Sequence, residues 1–408
     1  MEETFRTFHR VLCFAGVSFF STTHQISKRW LLFQILNFVL GFLAVAFTSG
    51  FVIIHFNNML LFIQGACIWT TAVITFISLR VFLIYRSKFQ VLISEIVFKD
   101  PVLDMPLIVY VLENGSTGRL KDLKDLVFKS EEKYLRFTRR VLQTYFVIGT
   151  SCYTLYLCCA IYHIINSNDN MVRLFAFDIW FPWSLENIYV YVASFIFHAY
   201  AGYLCCVANS GLQSTIILLV GQTIRQLMII TSILQNLNEL SIQVVDNKEN
   251  WQYCCTEILS QCFKHYVKIK RFTNHLNVIF QSYYLTLIFF AMMLVCMCSV
   301  KVATSSKFSA DVMKYYVQIL YYVLAVLMVC LLGQQVENAC EKLEVAVTEK
   351  WYLFDKKHKS SVLIFQMAVS KGMPIYIFGS ITISLQTFTW FIKTGMSFFT
   401  LVMSVLEG

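Results

Sequence analysis

The last helix-length run, PIYIFGSITISLQTFTWFIKTGMSFFTLVMSV (residues 374–405), is apolar enough for lipid but carries a ladder of polar groups. Ser380, Thr382, Ser384, Gln386, Thr387, Thr389, Lys393, Thr394, Ser397 and Thr400 recur through it. A helix that only anchors a protein has no use for them. The pattern instead fits the wall of an aqueous pathway inside a membrane. Ser397, Leu401, Ser404, Val405 and Gly408 follow i, i+4, i+7, i+8, i+11 and so share one helix face. A ring of Leu401 side chains from several subunits could close such a pathway by dewetting. Lys393, four residues before Ser397, extends the stripe; a mid-span lysine costs about 2.5–3.5 kcal/mol unless it meets water or a partner.

The rest of the chain offers no catalytic chemistry. There is no P-loop, no HExxH and no credible Ser/His/Asp set. The cysteine doublets Cys158–Cys159, Cys205–Cys206 and Cys254–Cys255 give neither CxxC nor metal-ligand spacing. The expectation is a protein that is not an enzyme and has no metal or other cofactor.

The helices that must position these residues are legible in composition. The 408-residue chain is 57% hydrophobic and 14% charged, with mean hydropathy +0.62, whereas soluble chains carry roughly 25% charge. Windows of about 20 apolar residues fall near 31–54, 59–84, 140–165, 188–220, 274–299, 315–333 and 376–405. Of the 33 Lys and Arg, 26 lie on the face of the N-terminus and four on the opposite face, with three inside spans. The positive-inside rule then puts the N-terminus in the cytoplasm and the C-terminus outside. The net charge of +9 reflects those loops, so no nucleic-acid partner is expected. RTFHRVLCFAGVSFFSTT is too short to span and reads as an interfacial helix. The sequon at Asn114 falls on the cytoplasmic side and should carry no glycan.

Some helices should outrun the bilayer. From Ile188 to Leu240 there is no proline, and about 53 residues make roughly 80 Å of helix against about 30 Å of hydrocarbon. Leu227, Ile230, Leu234 and Leu237 form a short heptad seam there, read as a contact between subunits. Amphipathic stretches before span three and after span six add to this layer. The expected fold is an all-α membrane protein with seven transmembrane helices and cytoplasmic extensions forming an inter-subunit anchor. Its segments are 1–30 (cytoplasmic N-terminus), 31–220 (spans one to four), 221–273 (anchor helices), 274–333 (spans five and six), 334–373 (anchor helix) and 374–408 (pore-lining span seven).

None of the seven spans contains Asp or Glu, which disfavours a proton-coupled transporter. It also disfavours a retinal protein using Lys393 for a Schiff base, since that cation needs a buried counter-ion. A G-protein-coupled-receptor-like reading is opposed by the inverted orientation and by the lack of a DRY triplet after span three and of NPxxY in span seven.

The second half, roughly 175–405, resembles the insect odorant receptor family. WFIKTGMSFFTLV is similar to its last-helix signature, with Gly395-Met396-Ser397 replacing a Ser-Tyr-Ser-like triplet. FPWSLENIY resembles the entry to its fourth span, EKWYLF its tryptophan after span six (Trp351), and CFKHYVKI its histidine before span five (His265). The short connection at 241–257 resembles a ligand-tuned subunit rather than the co-receptor, and the end SFFTLVMSVLEG lacks the Gln-Phe motif of the related gustatory receptors, the alternative family. The resemblance implies a heterotetramer with the odorant co-receptor in the plasma membrane of sensory neurons. It implies a non-selective cation channel gated by a small volatile odorant, with the last helix at the pore. Pore residues would be Lys393, Ser397, Leu401, Ser404 and Val405. The odorant would bind in the outer halves of the spans, at Gln64 and Ile68; Tyr153, Tyr156 and Leu157; Tyr191, Phe195 and His198; and Tyr316, Ile319 and Tyr322, each set spaced to line one helical face. A volatile ligand calls for an apolar cavity with few polar groups.

Overall fold

A computed structural model describes residues 28–95, 100–166, 175–245, 251–305, 310–349, 351–379 and 381–407. The interfacial helix expected before residue 28, Ser380 and Gly408 lie outside the described residues. Eleven helices follow in order: α1 Lys28–Ile54, α2 Met59–Ile84, α3 Arg86–Ile93, α4 Pro106–Asn114, α5 Gly118–Asn166, α6 Ile188–Gln235, α7 Leu237–Val244, α8 Trp251–Thr304, α9 Ala310–Thr348, α10 Lys356–Val369 and α11 Leu385–Glu407. Seven of them (α1, α2, α5, α6, α8, α9 and α11) are long and apolar enough to cross a membrane. The α1–α2 turn, the C-terminal ends of α5, α8 and α11 and the starts of α6 and α9 share one end, the hairpin end. Helices α5, α6, α8 and α9 run past the membrane-length core into the opposite, extended end.

Asparagine and aspartate set the helix starts. The Asn58 carboxamide accepts the Leu61 amide at 3.3 Å, Asn187 accepts Tyr189 at 2.9 Å, and Asp355 accepts His358 at 2.8 Å, each satisfying a donor that the first turn leaves open. Asn236 breaks α6 from α7, so the long helix ends before Leu240 rather than continuing through it.

Helix α6 is the axle of the bundle. It packs against α5, α9, α2, α8 and α1, and 83% of its most apolar stretch is buried, against 11% for α11. A helix buried on all sides needs no polar face. Its internal hydroxyls and amides, at Ser194, Asn209, Ser210, Gln213, Ser214 and Thr215, are therefore inside the protein. The heptad seam has the same fate, which corrects its reading as a subunit contact. Leu227 and Ile230 are fully buried, and Leu234 and Leu237 nearly so, within one chain, because the extensions of α5, α8 and α9 accompany α6 into the extended end and fill its stripe.

The stretch 376–405 is likewise not one helix. Tyr376–Phe378 (β1) and Ile381–Thr382 (β2) pair antiparallel around a turn whose Gly379 has φ +56°, a conformation glycine adopts without strain. Asn277 on α8 pins the hairpin: its amide donates to the Pro374 carbonyl at 3.0 Å and its carbonyl accepts the Tyr376 N–H at 3.2 Å. Gly333 on α9 allows the segment to lie close, since an added Cβ there would run into the Ile383 carbonyl oxygen. A backbone atom cannot rotate away. Gly333→Ala should therefore destabilise the protein by about 1–3 kcal/mol, the usual cost of overpacking. Gly395→Ala, whose Cβ meets only Met292 Cγ at 3.9 Å, should be near neutral. Thermal unfolding in detergent reads the difference, and equal midpoints would refute the close-approach argument.

Candidate functional site: an apolar cavity and an exposed last helix

Towards the hairpin end, α1, α2, α5, α6 and α9 do not close on one another. They leave an apolar cavity of about 120 Å³. Its wall includes Ile68 and Thr71 of α2, Tyr153 and Tyr156 of α5, His198 and Asn209 of α6, and Gln318 and Tyr322 of α9. Among the described residues no carboxylate, lysine or arginine lines it. Glycine helps to keep the space open and the walls close: a Cβ at Gly202 would meet the Phe177 ring at 2.7 Å and the Tyr153 ring at 2.8 Å.

The polar groups on the wall are already paired. Tyr156 OH donates to Gln318 Oε1 at 2.8 Å, and Gln318 Nε2 donates to Thr71 Oγ1 at 2.9 Å. Asn209 Nδ2 donates to Thr75 Oγ1 at 3.1 Å, while Ser78 Oγ donates to Asn209 Oδ1 at 2.8 Å. Tyr153 OH donates to the Ala199 carbonyl at 2.9 Å. An amide in an apolar span is costly without partners, and each finds one across the bundle. A guest in this cavity gains mainly apolar contact, with at most one shared hydrogen bond. That chemistry suits a small neutral molecule and excludes an ion.

A lid segment, Phe175–Asn187, covers the cavity. The Phe177 amide N–H donates to His198 Nε2 at 2.8 Å, so the ring proton of His198 sits on Nδ1. The Trp180 N–H reaches the Phe47 carbonyl at 3.3 Å, and Trp183 Nε1 donates to Ser194 Oγ at 3.0 Å. Phe175 packs on Tyr191, Phe195 and His198, and Phe181 on Phe47 and Trp183. At the rim the Gln64 amide lies beside the Asp178 carboxyl. Burial pushes the Asp178 carboxyl up from the usual carboxylate range, opposed by the neighbouring Gln64 amide and by Lys314, Lys301 and His55.

Of the eleven residues read as ligand contacts, Ile68, Tyr153, Tyr156, His198 and Tyr322 meet at the cavity. Tyr191 and Phe195 stand behind the lid through Phe175, and Gln64 holds its rim. Leu157 packs beside Tyr156, Ala160 and Ala176, and Ile319 packs on the main core. Tyr316 is 51% exposed on the outside of the bundle, because its six-residue separation from the cavity residue Tyr322 puts it about 120° around the helix. Phe177, Asn209, Gln318, Thr71 and Thr75 were not foreseen. The available signal was the pair of amides, Asn209 and Gln318, standing in otherwise apolar spans.

The last helix sits at the edge of the subunit. Helix α11 docks on α8 and α9 through Phe391 and Gly395, which are buried. Lys393, Ser397, Leu401, Ser404 and Val405 are all exposed. The hydroxyls of Thr389, Ser397, Thr400 and Ser404 bond carbonyls of their own helix at 2.8–3.1 Å, so they tolerate lipid as well as water. Lys393 lies on the same exposed stripe and makes no ion pair among the described residues. The thirteen described cysteines form no disulfide with one another, and no cluster of metal-ligating side chains occurs among the described residues.

A model of the 7tm odorant receptor family matches residues 58–396. The structure of the olfactory receptor OR5 from the insect Machilis hrabei in complex with eugenol superposes with a TM-score of 0.81 at 15% identity, covering 98% of this chain and 97% of that one. A second structure of the same receptor gives 0.80 at 15% identity, with the same coverage. No curated protein sequence matches the chain. Most of its length thus carries the family's sequence pattern and nearly all of it the receptor fold: this multi-pass membrane protein belongs to the seven-transmembrane odorant receptor family.

Proposed function

We propose that the chain is the odorant-binding subunit of a ligand-gated, non-selective cation channel. The cavity carries this reading. It is apolar and aromatic-walled, no charged residue lines it among the described residues, and the segment Phe175–Asn187 lies across it with Phe177 and Ile179 in its wall. In this reading the hairpin end faces outward and the extended end the cytoplasm, as the lysine and arginine distribution favours. The partner is the odorant co-receptor in the plasma membrane of sensory neurons. Leu363, Ile364 and Met367 of α10, with Val345 of α9, leave an exposed apolar face at the extended end where another subunit would cover it. The exposed stripe of α11 would turn towards a central pore.

The test is a dose–response series in cells that also express the co-receptor. Tyr153→Ala and Tyr322→Ala should raise the half-maximal concentration of an activating odorant ten- to two-hundredfold, as losing a good apolar contact does. Tyr316→Ala, on the outer surface, should leave it unchanged. A shift at Tyr316 with none at the other two would place the odorant outside this cavity.

A further inference from the structure

A second and larger hollow lies at the extended end, between α5, α6 and α9. It measures about 830 Å³ and is lined by Leu126, Lys133, Tyr134 and Phe137, by Ile224, Met228, Thr231, Ser232 and Gln235, and by Gln335, Asn338, Ala339 and Lys342. We propose that this groove binds an anionic phospholipid of the inner leaflet through a large, phosphate-bearing headgroup, of the phosphoinositide class.

Four observations support that occupant. The groove is amphipathic, with an apolar wall of Leu126, Phe137, Ile224, Met228 and Ala339 and a rim of amides, hydroxyls and two lysines. Its charge is of one sign. Among the described residues Lys133 and Lys342 line it and no carboxylate does; both lysines are exposed and neither makes an ion pair among those residues. The acids nearest in sequence are committed elsewhere: Glu131 lies 3.7 Å from Arg225, Glu132 3.5 Å from Arg136, and Glu337 and Glu341 line a separate groove. The fourth observation is depth. Lys133 lies seven residues before span three and Lys342 nine after span six, or roughly 10–14 Å of helix. The polar zone of one leaflet is only about 5–8 Å thick. Phosphates carried on an inositol ring extend into that depth, whereas the compact headgroup of phosphatidylserine stops short of it. Basic pockets between helices on the cytoplasmic side recognise lipids in this way. The inference rests on the cytoplasmic placement of the extended end and is independent of odorant binding.

The experiment uses the purified full chain in nanodiscs of phosphatidylcholine, without odorant. Phosphatidylinositol 4,5-bisphosphate or phosphatidylserine is titrated in, and bound lipid is counted by native mass spectrometry. The bisphosphate should bind more tightly. The double change Lys133→Gln with Lys342→Gln should weaken it about thirtyfold, at the usual contribution per cation near the surface. Met228→Trp, which fills the apolar wall from an exposed position, should weaken it as well. Arg139→Gln with Arg140→Gln, on the same helix at the membrane boundary but outside the groove, should have little effect. Equal losses in the lysine and arginine pairs would mean diffuse attraction to the leaflet and overturn the proposal. So would equal binding of the two lipids. A lysine pair that altered subunit assembly while leaving lipid binding intact would assign the groove to a neighbouring subunit instead.

Discussion

Arg225→Met should remove about 3–5 kcal/mol of folding stability, the usual result of leaving one side of a buried ion pair without its partner. The Arg225 side chain is fully buried, with the Asp100 side chain 16% exposed and Glu131 26%. Its guanidinium joins three separate parts of the extended end. Nη2 reaches Asp100 Oδ2 at 2.9 Å, in the turn before α4; Nε donates to Ser130 Oγ at 3.3 Å on α5; Nη1 donates to Gln222 Oε1 at 3.2 Å on α6 itself. The other carboxylate oxygen of Asp100 accepts Gln226 Nε2 at 3.2 Å, and Gln226 Oε1 in turn faces His265 Nε2 at 2.7 Å on α8. Methionine would keep most of the volume but leave the Asp100 carboxylate in a largely dry site. Thermal unfolding in detergent would measure the loss. Adding Asp100→Asn to Arg225→Met should recover part of it, because the stranded charge is then gone. Full additivity of the two changes would show that the pair is not coupled. In the proposed channel the same loss should appear as reduced surface expression with odorant sensitivity unchanged, since Arg225 lies far along α6 from the cavity residues His198 and Asn209.

The second large effect concerns the last helix. With cysteine at Leu401, a water-soluble thiol reagent applied during odorant currents should silence them, and positions 397, 404 and 405 should respond in turn. All four are exposed on one subunit, where an assembly must cover them with lipid, another helix or water. The back-bonded hydroxyls cannot decide among these, but Lys393 on the same stripe can. An unpaired ammonium held in hydrocarbon costs about 2.5–3.5 kcal/mol, so the helix favours turning that stripe to water. Phe391→Cys is the control, since that position is 1% exposed and packed on the bundle; it should stay unmodified. Inhibition at Phe391 alone, or at no position, would remove α11 from the pore. Lys393→Gln should change conductance or rectification for the same reason.

The sequence by itself determined what depends on local composition and on transfer from water to lipid. Seven apolar windows, the tight α1–α2 turn and the chain's charge asymmetry follow from residue types counted along the chain. So does the oddity of the last span, whose polar side chains are visible in one dimension. The projecting helices were legible too, because an apolar stripe that continues beyond about 20 residues has to go somewhere. Which surface fills a stripe was not legible. Leu227, Ile230, Leu234 and Leu237 have the spacing of a subunit seam, and only the tertiary packing decided that neighbouring helices of the same chain bury it. Helical spacing put Tyr316 with Ile319 and Tyr322, yet the rotation of α9 in the bundle exposes Tyr316 and brings Tyr322 to the cavity. A period constrains residues relative to one another and says nothing about the helix's absolute rotation. The lid is the clearest case. Phe177 closes the cavity from a connecting segment with no regular period, held by a hydrogen bond to His198 twenty-one residues away, and Asn209 and Gln318 meet hydroxyls well over a hundred residues distant in sequence. Such contacts exist only once the chain has closed on itself, so the cavity and its polar pairings belong to the tertiary structure alone.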